Sequence, residues 1–169
     1  MSSLLFLSSE DFHQQQGEKG TILCTDIQGI SMILFYSTEC VYCKNLIPIF
    51  KNLPNVINGC QIGMINVSTN KKVVQMSRST ICPIQYVPFI LLYIHGKPYM
   101  VYNGPKDIQQ LKKFIIDVSN SVQSQSSFAQ NNPNVITPTK RSIPEFTIGR
   151  PLCGEDGVCY LEYNTAYTN

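Results

Sequence analysis

Apolar residues in the first part of the chain gather in short runs, and between these runs they recur at helical spacing. Runs of this length, rich in β-branched and aromatic residues, are typical of buried or half-buried strands. The segment His95-Gly-Lys-Pro98 separates the last two runs and predicts a hairpin turn. The predicted strands cover residues 4–7, 21–24, 30–36, 61–67, 89–94 and 99–102.

Four helices are predicted between and after these strands. The first begins at residues 8–11, where a hydroxyl cap precedes acidic side chains, and it ends by Gly17 or Gly20. The resulting order, β-α-β-β-α-β-α-β-β-α, predicts an α/β fold with a mixed central sheet flanked by helices. The other three helices cover residues 40–53, 71–78 and 107–118.

The C-terminal part of the chain differs from residues 1–118, which we predict to form one domain. Residues 119–142 consist mainly of Ser, Asn, Gln, Pro and Thr, so they bury too little apolar surface to fold alone and indicate a polar flexible linker. Residues 143–169 regain apolar and aromatic side chains, but they are too few to enclose a core. We therefore expect an extended C-terminal arm that docks on a neighbouring protein.

Composition excludes several classes of function. The net charge is only +2, and no basic run with interleaved aromatic residues indicates a nucleic-acid partner. No segment approaches the roughly 18 apolar residues of a membrane span. The N-terminal residues have no charged region before an apolar run, so we expect no signal peptide and no secretion. A cytosolic protein keeps its thiols largely reduced, and this chain has seven cysteines.

Two of these cysteines form the most specific chemical signal. Cys40-Val-Tyr-Cys43 follows directly on the apolar run 30–36 and opens the second predicted helix. The N-terminus of a helix favours a thiolate at the first cysteine, and the two intervening residues place the second sulfur one turn further on. This arrangement predicts a dithiol able to form and exchange disulfides.

Other uses of the cysteines are less well supported. Cys40 and Cys43 could supply half of a zinc site, but structural zinc usually needs a second close pair, and the spacing of Cys153 and Cys159 fits poorly. Haem attachment is excluded because Lys44 stands where a histidine is required. Cys153 and Cys159 are candidates either for a local structural disulfide or for two ordinary thiols. We expect no metal site.

The remaining cysteines and the histidines are better explained by ordinary structural positions than by chemical roles. Cys24, Cys60 and Cys82 are expected to be small buried side chains rather than reactive groups. His13 and His95 are expected at the surface.

Several features together resemble those of one known family. They are the segment Phe35-Tyr-Ser-Thr-Glu-Cys-Val-Tyr-Cys-Lys44, Pro48 five residues after the second cysteine, the loop Tyr86-Val-Pro-Phe89, and Gly96 and Gly104 around the final hairpin. On these residues the segment 1–118 resembles the thioredoxin family, which implies the thioredoxin fold.

The resemblance also implies roles for individual residues. Cys40 would attack a substrate disulfide, Cys43 would resolve the mixed disulfide, and no cofactor would be needed. Pro88 would follow a cis peptide bond and lie against the dithiol. The implied substrate groove is formed by Tyr36, Tyr42, Val87 and Pro88, with Lys44 and Pro48 as supporting residues.

The chain departs from the family at three positions near the dithiol. Leu34 stands where thioredoxins hold a buried aspartate, and Met64 replaces the lysine that pairs with it. Glu39 replaces an aromatic residue before the dithiol, and its charge opposes a thiolate at Cys40. These departures imply a dithiol with suitable geometry but without the usual buried base.

A narrower resemblance points to a group of viruses. The pieces that carry it are Phe35-Tyr-Ser, Pro83-Ile-Gln-Tyr-Val-Pro88, Tyr93-Ile-His-Gly-Lys-Pro98, and the late Pro-Leu-Cys and Val-Cys-Tyr-Leu. They are similar to thioredoxin-like proteins of large nucleocytoplasmic DNA viruses, which implies the host cytoplasm and the virus particle as locations. Protein substrates and capsid proteins are then the expected partners.

Two functions follow from these observations. The first is a thiol–disulfide oxidoreductase that uses Cys40 and Cys43. The second is a structural protein, such as a minor capsid or assembly component, that uses a thioredoxin fold as a scaffold with little or no catalysis.

Overall fold

The described part of the chain contains nine strands and three α-helices. A computed structural model describes residues 3–130 and 159–160, with side chains for residues 3–124. The strands are β1 (Leu4–Phe6), β2 (Phe12–Gly17), β3 (Gly20–Thr25), β4 (Ile30–Tyr36), β5 (Cys60–Asn66), β6 (Tyr86–Val87), β7 (Phe89–Ile94), β8 (Lys97–Tyr102) and β9 (Cys159–Tyr160). The helices are α1 (Val41–Val56), α2 (Lys71–Arg78) and α3 (Ile108–Gln130).

Five of the strands form a mixed central sheet in the order β1-β5-β4-β7-β8. The strands β1, β5 and β4 are parallel, whereas β7 and β8 run antiparallel to their neighbours. The three inner strands are buried on both faces, which explains why their sequences are continuous apolar runs rather than alternating ones. The mixed α/β sheet predicted from the sequence is confirmed.

Alternate residues of the inner strands face two separate apolar layers. Helices α1 and α3 cover one face of the sheet, and α2 together with the β2–β3 hairpin covers the other. The first layer includes Leu34, Met64, Leu92, Phe50, Leu53, Leu111 and Ile115. The second layer includes Phe35, Ile65, Leu91, Val73, Val74, Phe12 and Leu23.

The prediction of a helix that begins at residue 8 is wrong. Asp11 does accept hydrogen bonds from the Ser8 backbone nitrogen and hydroxyl, at 2.7 and 3.0 Å, but only a single 3₁₀ turn over Ser9–Asp11 follows. Residues from Phe12 onward form β2, which pairs with β3. A helix here would have offered only Phe12 to the core, since the four residues after it are exposed.

The boundary predicted at residue 118 also needs correction, because α3 continues to Gln130. Residues 119–130, predicted as the beginning of a flexible linker, are helical. Val122 extends the apolar face of the helix one turn beyond Val118, and it packs against the same layer. The Ser121 and Ser124 hydroxyls donate to carbonyl oxygens four residues earlier, at 2.9 and 2.8 Å, so these polar side chains are compatible with the helix. Residues 131–142 of the predicted linker lie outside the described residues.

Candidate functional site

Cys40 caps the N-terminus of α1. Its backbone is extended, and its Sγ accepts a hydrogen bond from the Cys43 backbone nitrogen at 3.4 Å. The Lys44 nitrogen donates to the Cys40 carbonyl oxygen at 3.1 Å, which begins the helical hydrogen-bond pattern. The sulfur therefore takes the place of the hydroxyl or carboxylate oxygen that usually satisfies an N–H group at a helix start.

Ser37 holds the turn between β4 and the dithiol. Its hydroxyl accepts a hydrogen bond from the Glu39 nitrogen at 3.2 Å and lies 2.6 Å from the Ser68 hydroxyl, and its carbonyl oxygen accepts from the Cys40 nitrogen at 3.3 Å. Ser37 and Ser68 are not among the site residues predicted from the sequence. The position of Ser37 directly after a buried strand could have indicated this role, because serine side chains there commonly accept hydrogen bonds from the backbone nitrogens that follow.

The loop before β7 lies against the dithiol. The Val87–Pro88 peptide bond is cis, and Cys40 Sγ lies 3.7 Å from the Val87 carbonyl oxygen. Val87 and Pro88 are both buried. The cis bond expected before Pro88 is confirmed, and the contact with Cys40 is made by the carbonyl oxygen of Val87.

The two cysteines differ slightly in accessibility. Cys40 is 4% exposed and Cys43 is fully buried, in the order expected for an attacking and a resolving thiol. Between them, Val41 and Tyr42 are 63% and 42% exposed, so two adjacent apolar side chains face solvent beside the dithiol. Tyr42 was predicted as a residue of the substrate groove, whereas Val41 was not. Both residues lie between the two cysteines in the sequence.

The other residues assigned to the groove or its support lie in different surroundings. Tyr36 is partly buried and packs against both apolar layers, while its carbonyl oxygen accepts a hydrogen bond from the Val67 nitrogen at 2.8 Å. Lys44 and Pro48 are exposed on α1. Glu39 is exposed as well. The contacts of the described residues therefore bring together Cys40, Cys43 and Val87, and they leave the roles of the others as predictions.

The remaining cysteines with described side chains are buried, as expected. Burial raises the pKa of the Cys60 and Cys82 thiols from 9.0 to about 12, and it also raises the pKa of Cys24. They are therefore protonated near neutral pH, and a thiol reacts far more slowly than a thiolate. His13 and His95 are exposed, also as expected.

The described residues lack two further features. They contain no group of three or more His, Cys, Asp and Glu side chains arranged to hold a metal ion. None of their helices combines the length and the apolar character needed to cross a bilayer.

A strand of the C-terminal segment pairs next to the Pro88 loop. β9 runs antiparallel to β6, with Tyr160 opposite Tyr86 and Cys159 opposite Val87. The arm was predicted to dock on a neighbouring protein, but for Cys159 and Tyr160 the partner lies in the same chain. Residues 143–158 and 161–169 of the arm, including Cys153, lie outside the described residues. The two alternatives for Cys153 and Cys159, a local disulfide or two ordinary thiols, therefore stay predictions.

Comparisons with known proteins agree with the fold described above. The chain is 34% identical to the uncharacterized protein 196R of Invertebrate iridescent virus 6, in an alignment that covers 99% of this chain and 95% of that protein. It is 24% identical to the protein disulfide isomerase-like 5-1 of Oryza sativa subsp. japonica, over 69% of this chain and 72% of the relative. The crystal structure of human ERp44 matches 69% of this chain with a TM-score of 0.52 at 18% identity, and the chain spans only 29% of that protein.

The sequence pattern of the Thioredoxin family matches residues 18–117. This range contains both cysteines of the dithiol, the Pro88 loop and four of the five strands of the central sheet. Because the match covers more than half of the chain, the protein belongs to the thioredoxin family.

Proposed function

We propose that the protein is a thiol–disulfide oxidoreductase with Cys40 as the nucleophile and Cys43 as the resolving thiol. The observation that carries the proposal is the position of Cys40 Sγ, 3.4 Å from the Cys43 nitrogen and 3.7 Å from the Val87 carbonyl oxygen. The nitrogen offers a hydrogen-bond donor to negative charge on the sulfur. The peptide backbone at Val87 lies where an extended substrate can pair beside the reacting atom.

The reaction takes two exchange steps. The Cys40 thiolate attacks one sulfur of a substrate disulfide, the substrate S–S bond breaks, and the second substrate sulfur leaves as a thiolate that takes up a proton. Cys43 then loses its proton and attacks Cys40 Sγ, which breaks the mixed disulfide and releases the other substrate thiolate. The substrate gains two electrons and two protons, and the Cys40–Cys43 pair is oxidised; the reverse sequence introduces a disulfide.

The proposed substrate is an extended protein segment with apolar residues around a cystine. β6 already pairs with an antiparallel strand, which supports strand addition as the mode of binding. Val41 and Tyr42 provide exposed apolar surface between the two cysteines. Tyr36, Val87 and Pro88 complete the proposed groove, and Lys44 adds a positive charge near the thiolate.

Substitution of each cysteine tests the proposal. Cys40→Ser should abolish reduction of a peptide disulfide, whereas Cys43→Ser should lose multiple turnover and leave Cys40 trapped in a disulfide that mass spectrometry detects. Cys82→Ala is the matched control, because Cys82 is buried outside the dithiol and should leave the rate unchanged. A Cys40→Ser variant that keeps wild-type activity would refute the assignment.

A role in virus assembly is the second candidate function. Leu34 and Met64 make the position of the usual buried base apolar, which supports a scaffold with little catalysis. The iridescent virus relative also aligns along almost the whole chain, including the C-terminal segment that the redox steps do not use. We propose capsid proteins as partners, and the virus particle and host cytoplasm as locations. If the double variant Cys40→Ser/Cys43→Ser still enters purified particles at the wild-type level, particle association is independent of the dithiol; absence of the wild-type protein from particles refutes this role.

A further inference from the structure

The strand beside the dithiol comes from the C-terminal segment of the protein itself. In the β6–β9 pair, Cys159 lies directly opposite Val87. The Cα atoms of directly opposed residues in antiparallel strands are about 4.5–5.5 Å apart. Cys159 is therefore one strand spacing from the residue whose carbonyl oxygen lies 3.7 Å from Cys40 Sγ.

The sequence of this strand fits the substrate class proposed above. Cys159 stands between apolar residues in the segment Val158-Cys-Tyr-Leu161. A disulfide between Cys40 and Cys159 requires their Cα atoms to come within about 7 Å of each other. The pairing therefore brings a cysteine of an apolar extended segment to the edge where an external substrate would bind.

We infer that β9 is an intramolecular substrate of the dithiol and that Cys159 exchanges disulfides with Cys40. This inference rests on the proposed reactivity of Cys40 and adds one specific substrate to it. Starting from the oxidised Cys40–Cys43 pair, the Cys159 thiolate attacks Cys40 Sγ. The Cys40–Cys159 bond forms, the Cys40–Cys43 bond breaks, and Cys43 leaves as a thiolate that takes up a proton. The number of disulfides is unchanged, so the step needs no further oxidant.

This exchange would make external substrates compete with the chain's own strand. A thiol tethered near its target has an effective concentration in the millimolar range for short flexible tethers. The oxidised protein would then be held partly as the Cys40–Cys159 form, and an incoming polypeptide must displace β9 from β6 before it reaches Cys40.

The test uses full-length Cys43→Ser and Cys43→Ser/Cys159→Ser proteins treated with oxidised glutathione under native conditions. Glutathione first forms a mixed disulfide with Cys40, and Cys159 then displaces it as a thiolate. In Cys43→Ser, with reduced glutathione also present at about 0.1 mM, we expect peptide mapping to find the Cys40–Cys159 disulfide in monomers about tenfold above the Cys40–glutathione adduct. In the double variant the adduct should persist. Cys43→Ser/Cys153→Ser is the matched control, since it removes the other C-terminal thiol and should keep the cross-link.

The outcomes separate this inference from the proposed function. Equal retention of glutathione on Cys40 with and without Cys159 would refute the inference while leaving Cys40 reactive. A cross-link from Cys40 to Cys153 instead of Cys159 would also refute it. If Cys40 takes up no glutathione in any variant, the proposed nucleophile itself is wrong.

Discussion

Leu34 and Met64 lie at paired register positions of the parallel strands β4 and β5, and each is at most 1% exposed. The thioredoxin resemblance places a carboxylate and an amine at these two positions, so an ion pair has been replaced as a unit by an apolar contact. Replacement of both partners can leave stability nearly unchanged, whereas one charge without the other is strongly destabilising. A carboxylate introduced at residue 34 would therefore meet a dry, apolar layer.

We predict that Leu34→Asp destabilises the protein in a pH-dependent way. Burial without a partner raises the pKa of the new carboxyl above its unfolded value of about 3.9, so the folded state retains the proton longer than the unfolded state. The free energy of unfolding is then highest below about pH 3.9. It falls by about 1.4 kcal/mol per pH unit as the pH rises from there toward the pKa of the folded state. Urea unfolding at pH 4 to 7 measures this decline. Leu34→Asn, of similar size but without charge, should show a constant deficit.

A lysine at residue 64 should offset part of the cost of the aspartate at residue 34. Leu34→Asp/Met64→Lys should be more stable at pH 7 than Leu34→Asp alone, because a buried carboxylate without its cation costs about 3–5 kcal/mol. Identical pH profiles for Leu34→Asp and Leu34→Asn would mean that water reaches this layer.

Gly96→Ala should lower the free energy of unfolding far more than Gly59→Ala does. Gly96 has φ +76°, and a Cβ there would lie 2.0 Å from the Thr25 carbonyl oxygen. The Gly96 carbonyl oxygen also accepts a hydrogen bond from the Thr25 nitrogen at 2.9 Å, so the β7–β8 turn cannot easily move away from β3. We expect a loss of more than about 3 kcal/mol, the sum of left-handed strain and forced repacking.

Gly59→Ala is the matched control for this prediction. Gly59 has φ +80°, but a Cβ there would meet no atom within 4 Å. Its cost should be limited to the left-handed conformation, about 1–2 kcal/mol. Equal losses in thermal or urea unfolding for the two variants would show that the contact with Thr25 is not restrictive.

Val122→Ala tests whether the extended part of α3 belongs to the core. Val122 is partly buried and packs on the layer under α1 and α3, so removing its two methyl groups should cost about 1 kcal/mol. Ile116→Ala, on the same helix but 43% exposed, should change stability by less than about 0.5 kcal/mol. Indistinguishable unfolding curves for Val122→Ala and wild type would instead support a domain that ends at residue 118.

Alkaline pH should destabilise the protein through its buried thiols. The pKa values of Cys60 and Cys82 are raised from 9.0 to about 12, so the folded state holds both protons after the unfolded state has lost them. Stability is therefore fully present below pH 9 and falls by about 1.4 kcal/mol per pH unit for each thiol as pH rises toward 12. Burial also raises the pKa of Tyr93, which adds to the decline above its ordinary value of 10.0.

Urea unfolding between pH 8 and 11, in the presence of reductant, measures this slope. Cys82→Ala should reduce it by the contribution of one thiol, about 1.4 kcal/mol per pH unit. A stability that stays constant to pH 11 would mean that these thiols ionise as easily in the folded protein as in the unfolded chain.

The sequence predicts the dithiol and the Pro88 loop well because their signals are local. Cys40 and Cys43 follow shortly after the apolar strand β4, so the motif and this strand suffice to place the dithiol. The position of Pro88 was implied by the thioredoxin resemblance of Tyr86-Val-Pro-Phe89 before the apolar strand β7. The failures concern pairing between distant or weakly patterned segments. The cap at residues 8–11 is real, but only pairing of Phe12 with Thr25 decides between helix and hairpin. β9 is two residues long, which is too short for any periodicity, and its partner Val87 lies far earlier in the chain.

The position of β1 in the sheet constrains the order in which the protein can fold during synthesis. Leu4 pairs with Ile62 of β5, which is the sheet neighbour of β1 among the described residues, so β1 must wait for this partner while β2, β3, β4 and α1 are made. The β2–β3 hairpin, in contrast, can close as soon as its own residues emerge. Since non-local pairs form late and slowly, β1 is expected to join the sheet after β4 and β5 have met. This short apolar strand is thus without its partner on the nascent chain until Cys60–Asn66 have emerged, which is the period when it is most open to chaperones and to aggregation.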